Sequence, residues 1–106
     1  MTLVPEYMLS VQRDELEKAI KTAVYGIKKK TNGDFSLLYA KGKLTLRGPM
    51  AEMVVPAVGN WPGTISLPAQ IAKNLAKVLT ASDTQHLQFK DGRLFIENFS
   101  IAAKKE

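Results

Sequence analysis

Leu37-Leu38-Tyr39-Ala40-Lys41-Gly42-Lys43-Leu44-Thr45-Leu46 returns fifty residues later as Leu87-Gln88-Phe89-Lys90-Asp91-Gly92-Arg93-Leu94-Phe95-Ile96. In both stretches apolar residues alternate, a short turn ending in glycine follows, and the alternation resumes, which is the pattern of a β-hairpin. A hairpin met twice in one short chain points to an internal repeat, and a repeat outweighs any local motif as evidence about fold. Working outward, Leu16, Lys18, Ile20, Ala23 and Val24 match Ile71, Lys73, Leu75, Val78 and Leu79 at an offset of 55. The change of offset falls in the loop that carries Lys28, Lys29 and Lys30, so one insertion there accounts for both spacings.

The flanking segments complete each unit. Tyr7, Leu9 and Val11 alternate with polar residues and predict a strand. From Arg13 the period lengthens, and Leu16, Ala19, Ile20, Ala23, Val24 and Ile27 gather on one helical face, with Asp14, Glu15 and Glu17 at the positive end of the helix dipole. Lys28 to Gly33 closes that helix with charge and an Asn-Gly turn. After the hairpin and Pro49 comes a third strand, Ala51 to Val55. The order then restarts: Ile65 and Leu67 form a strand, and Pro68 enters a helix whose apolar face is Ile71, Ala72, Leu75, Val78 and Leu79. The second hairpin follows, and Phe99, Ile101 and Ala103 make the last strand. The expected fold is α+β: a single domain of residues 1–106 with pseudo-repeats 1–57 and 58–106, each β-α-β-β-β, in which two adjacent helices pack on antiparallel sheets.

Composition narrows the function classes. The chain has 106 residues, 45% hydrophobic and 24% charged, which suits a folded domain rather than a disordered tail. It contains no cysteine and one histidine, His86, so disulfides, thiolate metal sites and a zinc centre of the usual three or four protein ligands are excluded. Asp14, Asp34, Asp83 and Asp91 fall near caps and turns, and no Ser or Cys nucleophile pairs with His86. No catalytic residue, metal or cofactor is therefore expected, and the chain reads as a non-enzyme. No apolar run approaches the roughly 18 residues of a membrane span, and Met1 to Val4 lacks the layout of a secretory signal. The expectation is a cytoplasmic protein with no membrane partner.

The net charge of +5 is spread as +3 over residues 1–57 and +2 over residues 58–106. That balance favours a polyanionic partner and is not a detachable basic tail. Lys18, Lys21, Tyr25 and Lys28 recur at steps of three and four and form one stripe opposite the apolar face. Lys73 and Lys77 lie four apart, beside Gln70 and Asn74. The same lysines also read as an ordinary solvated face, and Lys28, Lys29 and Lys30 as a soluble loop. Lys104 and Lys105 read as a frayed terminus. Trp61, in Asn60-Trp61-Pro62-Gly63 at the join of the repeats, reads as a cover for the core, and Phe35, Tyr39 and Phe89 as core. His86 reads as a surface residue, and Phe95, opposite Leu94 and Ile96, as an exposed contact.

The doubled unit resembles one domain of the DNA sliding clamp, the beta subunit of bacterial DNA polymerase III. The resemblance is carried by Tyr7-Met8-Leu9-Ser10-Val11-Gln12-Arg13-Asp14-Glu15-Leu16-Glu17-Lys18-Ala19. It continues in Gly63-Thr64-Ile65-Ser66-Leu67-Pro68-Ala69 and in Asp91-Gly92-Arg93-Leu94-Phe95-Ile96 through Phe99-Ser100-Ile101. The resemblance implies a protein that binds duplex DNA through its phosphate backbone without reading bases. The contacts it implies are Lys18, Lys21, Lys28, Lys29, Lys30, Lys73 and Lys77. Members of that family string three such domains in one chain, whereas this sequence covers one domain's equivalent. The expectation is therefore assembly as a homo-oligomer: head-to-tail pairing that closes makes a ring of about six copies, and pairing that does not close gives filaments or a simple dimer. The edge residues expected at that contact are Met53, Val54, Val55, Phe99 and Ile101. The family's peptide pocket lies in its other domains and has no counterpart positions here. A role in DNA replication or repair is implied, with DNA polymerase or clamp-loader proteins as further partners. The alternative is an interaction module of the same fold that docks on replication proteins without encircling DNA.

Overall fold

The alternating stretches form ten strands in two antiparallel five-stranded sheets in the computed structural model, which describes residues 7–28 and 32–106. β1 (Tyr7–Gln12) leads directly into helix α1 (Arg13–Ala23). The hairpin of β2 (Asp34–Ala40) and β3 (Lys43–Arg47) follows, then β4 (Glu52–Pro56) and the short β5 (Val58–Asn60). The second series is β6 (Thr64–Pro68), a single helical turn α2 (Ala69–Ala72), a 3-10 segment (Leu75–Val78), β7 (Thr84–Lys90), β8 (Arg93–Ile96), β9 (Phe99–Ala102) and β10 (Lys104–Lys105).

The strand orders are β5-β1-β7-β8-β9 and β10-β6-β2-β3-β4. Replacing each strand of one sheet by its counterpart in the other series generates the other sheet, so each series lends its opening and closing strands to the hairpin of its partner. The registers agree: Leu9 of β1 faces Leu87, and Ile65 of β6 faces Leu37. Ala57 N–H donates to the Gly42 carbonyl and Ala103 N–H to the Gly92 carbonyl, both at 3.0 Å. The repeat read from the hairpins is therefore a repeat of the whole fold.

Turn chemistry explains the hairpins. Lys41 and Gly42 have φ of 51° and 80°, and Asp91 and Gly92 have 53° and 74°. Two successive positive φ angles make a type I′ turn, whose twist matches that of the strands it joins. Inward positions Leu9, Val11, Phe35, Leu37, Leu44, Leu46, Ile65, Leu67, Leu87, Leu94 and Ile96 form the core with Leu16, Ala19, Ile20 and Ala23 of α1. Trp61 is buried at the join and donates its indole N–H to the Leu37 carbonyl at 3.2 Å, as the core-cover reading expected.

Several expectations are corrected in detail. Across strand and helix the repeat runs at an offset of 56 rather than 55, which pairs buried Leu16 with buried Ala72 and buried Ala19 with buried Leu75. In the last strands the offset falls to 46, because Leu44 faces Val55 where Leu94 faces Ile101. Two length differences separate the halves, one in the lysine loop and one in the connection from β3 to β4. α1 stops at Ala23 instead of running to Ile27, since Gly26 takes φ +86° and the chain turns. Lys104 and Lys105 are not frayed: they pair with Ser66 and Ile65 as β10. Phe95 is half-buried rather than exposed.

The largest correction concerns the second helix, which breaks into α2 and the 3-10 segment at Lys73 and Asn74. α1 carries Asp14 and Glu15 in its first turn and the i,i+4 pairs Arg13–Glu17 and Glu17–Lys21. Residues 69–82 contain no acid at all, and Lys73 and Lys77 repel at the same spacing. Asn74 adds a side chain that competes with the helical backbone.

Among the described residues no helix is long and apolar enough to cross a membrane.

Candidate nucleic-acid interface

The lysines of the two helical segments depend on how those segments meet. α1 packs beside the 3-10 segment, and Arg13 fastens the contact by donating from Nε to the Thr80 carbonyl at 2.7 Å. The same guanidinium reaches Asp14 at 3.3 Å and Glu17 at 3.4 Å. The Thr80 loop is held from the other side by Gln85, which is fully buried. Its side-chain amide donates to Thr80 Oγ1 at 2.9 Å and to the Ser82 carbonyl at 2.8 Å, and its oxygen accepts from the Thr80 N–H at 3.0 Å. The two segments thus lie on one side of the molecule, as the repeat requires.

Lys18 and Lys21 project from the exposed side of α1, and Lys73 and Lys77 are exposed on the second segment. The two contributions differ. α1 carries Arg13, Lys18 and Lys21 against Asp14, Glu15 and Glu17, so it is electrically neutral over its length. Lys21 lies 3.9 Å from Glu17, an exposed pair worth a few tenths of a kcal/mol at most. The second segment has two lysines and no acid to offset them. The positive excess of this side therefore sits on the broken segment. Lys28 is exposed beyond the end of α1, and Tyr25 stands in the turn between them, so neither extends a helical stripe. Lys29 and Lys30 lie outside the described residues.

The expected edge residues divide by direction. Among the described residues β4 and β9 each pair on one side only, so both are sheet edges. Val54 points to the outer face and is 50% exposed, whereas Val55 faces Leu44 and is buried in the core. Met53 is half-buried and packs against the core, as do Phe99 and Ile101. His86 is exposed on β7, its Nδ1 lying 3.1 Å from the Glu97 carboxylate.

A groove of about 520 Å3 separates the second helical segment from β9, lined among others by Ile71, Asn74, Leu75, Val78, Phe99 and Ile101. No sequence pattern announced it. The nearest signal is the acid-free run 69–82 with Asn74 in its middle, which marks a helix too weak to close over its sheet.

Two five-stranded sheets exchanging their outer strands about a pair of adjacent helical segments are the architecture of a DNA sliding-clamp domain. Solved structures that share it include the DNA polymerase sliding clamp of Bacillus subtilis, with a TM-score of 0.71 and 13% identity over 94% of this chain and 31% of that one. The DNA polymerase III beta subunit of Thermotoga maritima follows with a TM-score of 0.68 and 17% identity, over 92% of this chain and 29% of that one. The DNA polymerase III subunit beta of Pseudomonas aeruginosa gives 0.68 and 18%, over 92% and 29%. This chain thus spans less than a third of the length of the structures it resembles. Neither a protein-family model nor a curated protein matches its sequence.

Proposed function

We propose that this chain is a non-enzymatic, clamp-like protein that binds duplex DNA through phosphates, without reading sequence, and associates with further copies of itself during replication or repair. The observation that carries the reading is the approach of two lysine-bearing helical segments on one side of the fold, with Lys73 and Lys77 unopposed by any acid over residues 69–82. Phosphate contact alone is nearly indifferent to base sequence, so such a face can hold a duplex and still move along it. The sheet edges β4 and β9 support self-association, because an unpaired strand edge either is blunted or takes a neighbour.

Affinity for two unrelated duplexes measured across a salt series tests this. The expected result is near-equal binding, with the slope of log K against log salt shrinking by about 0.9 for each lysine removed from contact. Reversing Lys18, Lys21, Lys73 and Lys77 to Glu should abolish measurable binding while leaving the fold intact, since all four are exposed. Strong preference for one duplex, salt-independent binding, or retained affinity in the quadruple variant would refute it. The apolar groove beside β9 favours a second reading, an interaction module whose protein partners include DNA polymerase or clamp-loader proteins. A chain that ignores DNA at every salt concentration yet binds such a protein would establish that reading instead.

A further inference from the structure

The connection that leads into β2 ends in Asn32-Gly33, the one place in the chain where asparagine precedes glycine. Both residues are exposed. Gly33 takes φ +110°, a conformation that a β-carbon would strain, so the turn requires glycine there. That requirement leaves beside Asn32 a backbone nitrogen that no side chain shields. Among the described residues nothing accepts from the Gly33 N–H, so it faces water instead of a ladder or a helix.

The other asparagines are placed differently. Asn60 pairs with Met8 in β5, Asn74 sits between the two short helical segments, and Asn98 occupies the bend before β9. Trp61, Leu75 and Phe99 follow them, and their side chains crowd the neighbouring backbone nitrogen.

Two contacts tie Gly33 to the rest of the fold. Its carbonyl accepts from the N–H of Ala69, the first residue of α2, at 3.1 Å. A β-carbon on Gly33 would stand 3.6 Å from the Pro49 ring, in the connection between β3 and β4. Gly33 thus holds the start of the segment that carries Lys73 and Lys77.

We propose that Asn32-Gly33 is a self-modifying site, which deamidates and in doing so releases the start of the second helical segment. The Gly33 nitrogen attacks the side-chain carbonyl carbon of Asn32. As that bond forms, the bond from the same carbon to the side-chain nitrogen breaks, and ammonia leaves with the Gly33 amide proton. The resulting succinimide ring takes up one water. Opening at the side-chain carbon gives aspartate, and opening at the more electrophilic main-chain carbon gives isoaspartate, the major product. Water enters and ammonia leaves, with no oxidant or reductant. Either product reduces the formal net charge of +5 by one, two residues after Lys30. Isoaspartate also lengthens the main chain by one carbon just before Gly33, which draws its carbonyl away from Ala69. The consequence for DNA rests on the binding reading above, because the segment released carries the lysines with no acid beside them.

Peptide mapping of protein incubated in mildly alkaline buffer tests the chemistry. The peptide holding residues 32 and 33 should exchange an amide NH2 for a hydroxyl at least about tenfold faster than those holding Asn60, Asn74 or Asn98. It should also become a substrate for an isoaspartate-specific methyltransferase. Asn32→Gln, which has to close a larger ring, should show neither change. Similar rates at all four asparagines, or a product free of isoaspartate, would overturn the site.

Amide exchange then reads the release. The Ala69 N–H should exchange about fivefold faster in aged protein than in fresh, the scale of one lost hydrogen bond, while Leu87 in the centre of its sheet stays unchanged. Asn32→Asp changes the charge without lengthening the main chain, so its Ala69 exchange should match that of fresh protein. Full conversion with no change at Ala69 would sink the proposal. For duplex DNA, Asn32→Asp should bind about twofold more weakly, aged protein more weakly still, and Asn32→Gln should keep its affinity through the same incubation. Equal affinity of fresh and aged protein would overturn the link to binding. A fresh protein that binds no duplex defeats the binding reading by itself, and the mass and exchange measurements then decide the site alone.

Discussion

The two halves of this protein carry the same topology and hold their helices by different means. In the first half the helix is eleven residues long, and its C-terminal end rests on the turn that joins β3 to β4. In the second half the corresponding connection is a bend of two residues, Glu97 and Asn98, and the helix survives as a single turn of four residues followed by a 3-10 segment. The longer connection, Gly48-Pro49-Met50-Ala51, is the element the second half lacks. Equal strand registers with unequal helices show that the sheets define this fold and that the helices are kept to the extent that something buttresses them. The difference falls on the proposed interface, since the unbuttressed side carries both the lysines with no acid over residues 69–82 and the open groove.

The buttress is the part of the comparison easiest to break. A methyl group added at Gly48 would collide with the Ala23 carbonyl oxygen and lie 3.1 Å from the Ala23 carbonyl carbon, where only backbone is available to move. Gly48 also closes its own turn by donating to the Ala51 carbonyl at 2.8 Å. Gly48→Ala should therefore cost about 3 kcal/mol by urea denaturation and reduce helical circular dichroism, as α1 lifts from its support. Asn98→Ala, at the exposed bend of the second half, should change stability by less than about 0.5 kcal/mol. Similar losses at both positions would mean that the two connections do the same work.

The loops after the helices differ in the same spirit. Gln85 occupies the position that Phe35 holds in the first half, since Gln85 faces Val11 of β1 as Phe35 faces Leu67 of β6. Both side chains are fully buried, but Phe35 only packs, whereas Gln85 satisfies Thr80 and Ser82 and so pins the loop that receives Arg13. Gln85→Leu keeps the volume and removes those partners, which should cost about 2 kcal/mol through unsatisfied backbone groups. The Thr80 amide should exchange with solvent faster in the variant. Unchanged exchange there would show that Arg13 alone holds the loop.

What could be read from sequence follows this division. The hairpins were legible because alternation and turn chemistry are local: Lys41-Gly42 and Asp91-Gly92 specify their turns with no help from the rest of the chain. The exposure of Lys18, Lys21, Lys73 and Lys77 was legible too, since burial of Leu16, Ala19 and Ile20 on one side leaves the lysines on the other. Less was visible where the outcome depends on distant contacts. The adjacent apolar residues Met53, Val54 and Val55 hide the period of two, and only pairing with Leu44 turns Val55 inward. The break at Asn74 and the groove it leaves were illegible because the apolar spacing of Ile71, Leu75 and Val78 suits a helix. What that spacing cannot report is the missing support beneath it.

That last point separates two causes of the break, the residue at position 74 and the absent buttress. Asn is about 0.5 kcal/mol worse than Ala in a helix interior, and Asn74 adopts φ −103° and ψ 7° at the junction of the two short segments. If the buttress is the dominant cause, Asn74→Ala should stabilise the protein by no more than about 0.5 kcal/mol, because Lys73 and Lys77 still repel and nothing new supports the chain below. Circular dichroism should then gain at most one helical turn, and the groove beside β9 should stay open. A gain well beyond the propensity difference, with helicity restored through residue 78, would assign the break to this side chain. The two halves would then differ by one residue's local preference, and the turn at Gly48 would be a consequence of a stable helix instead of its cause.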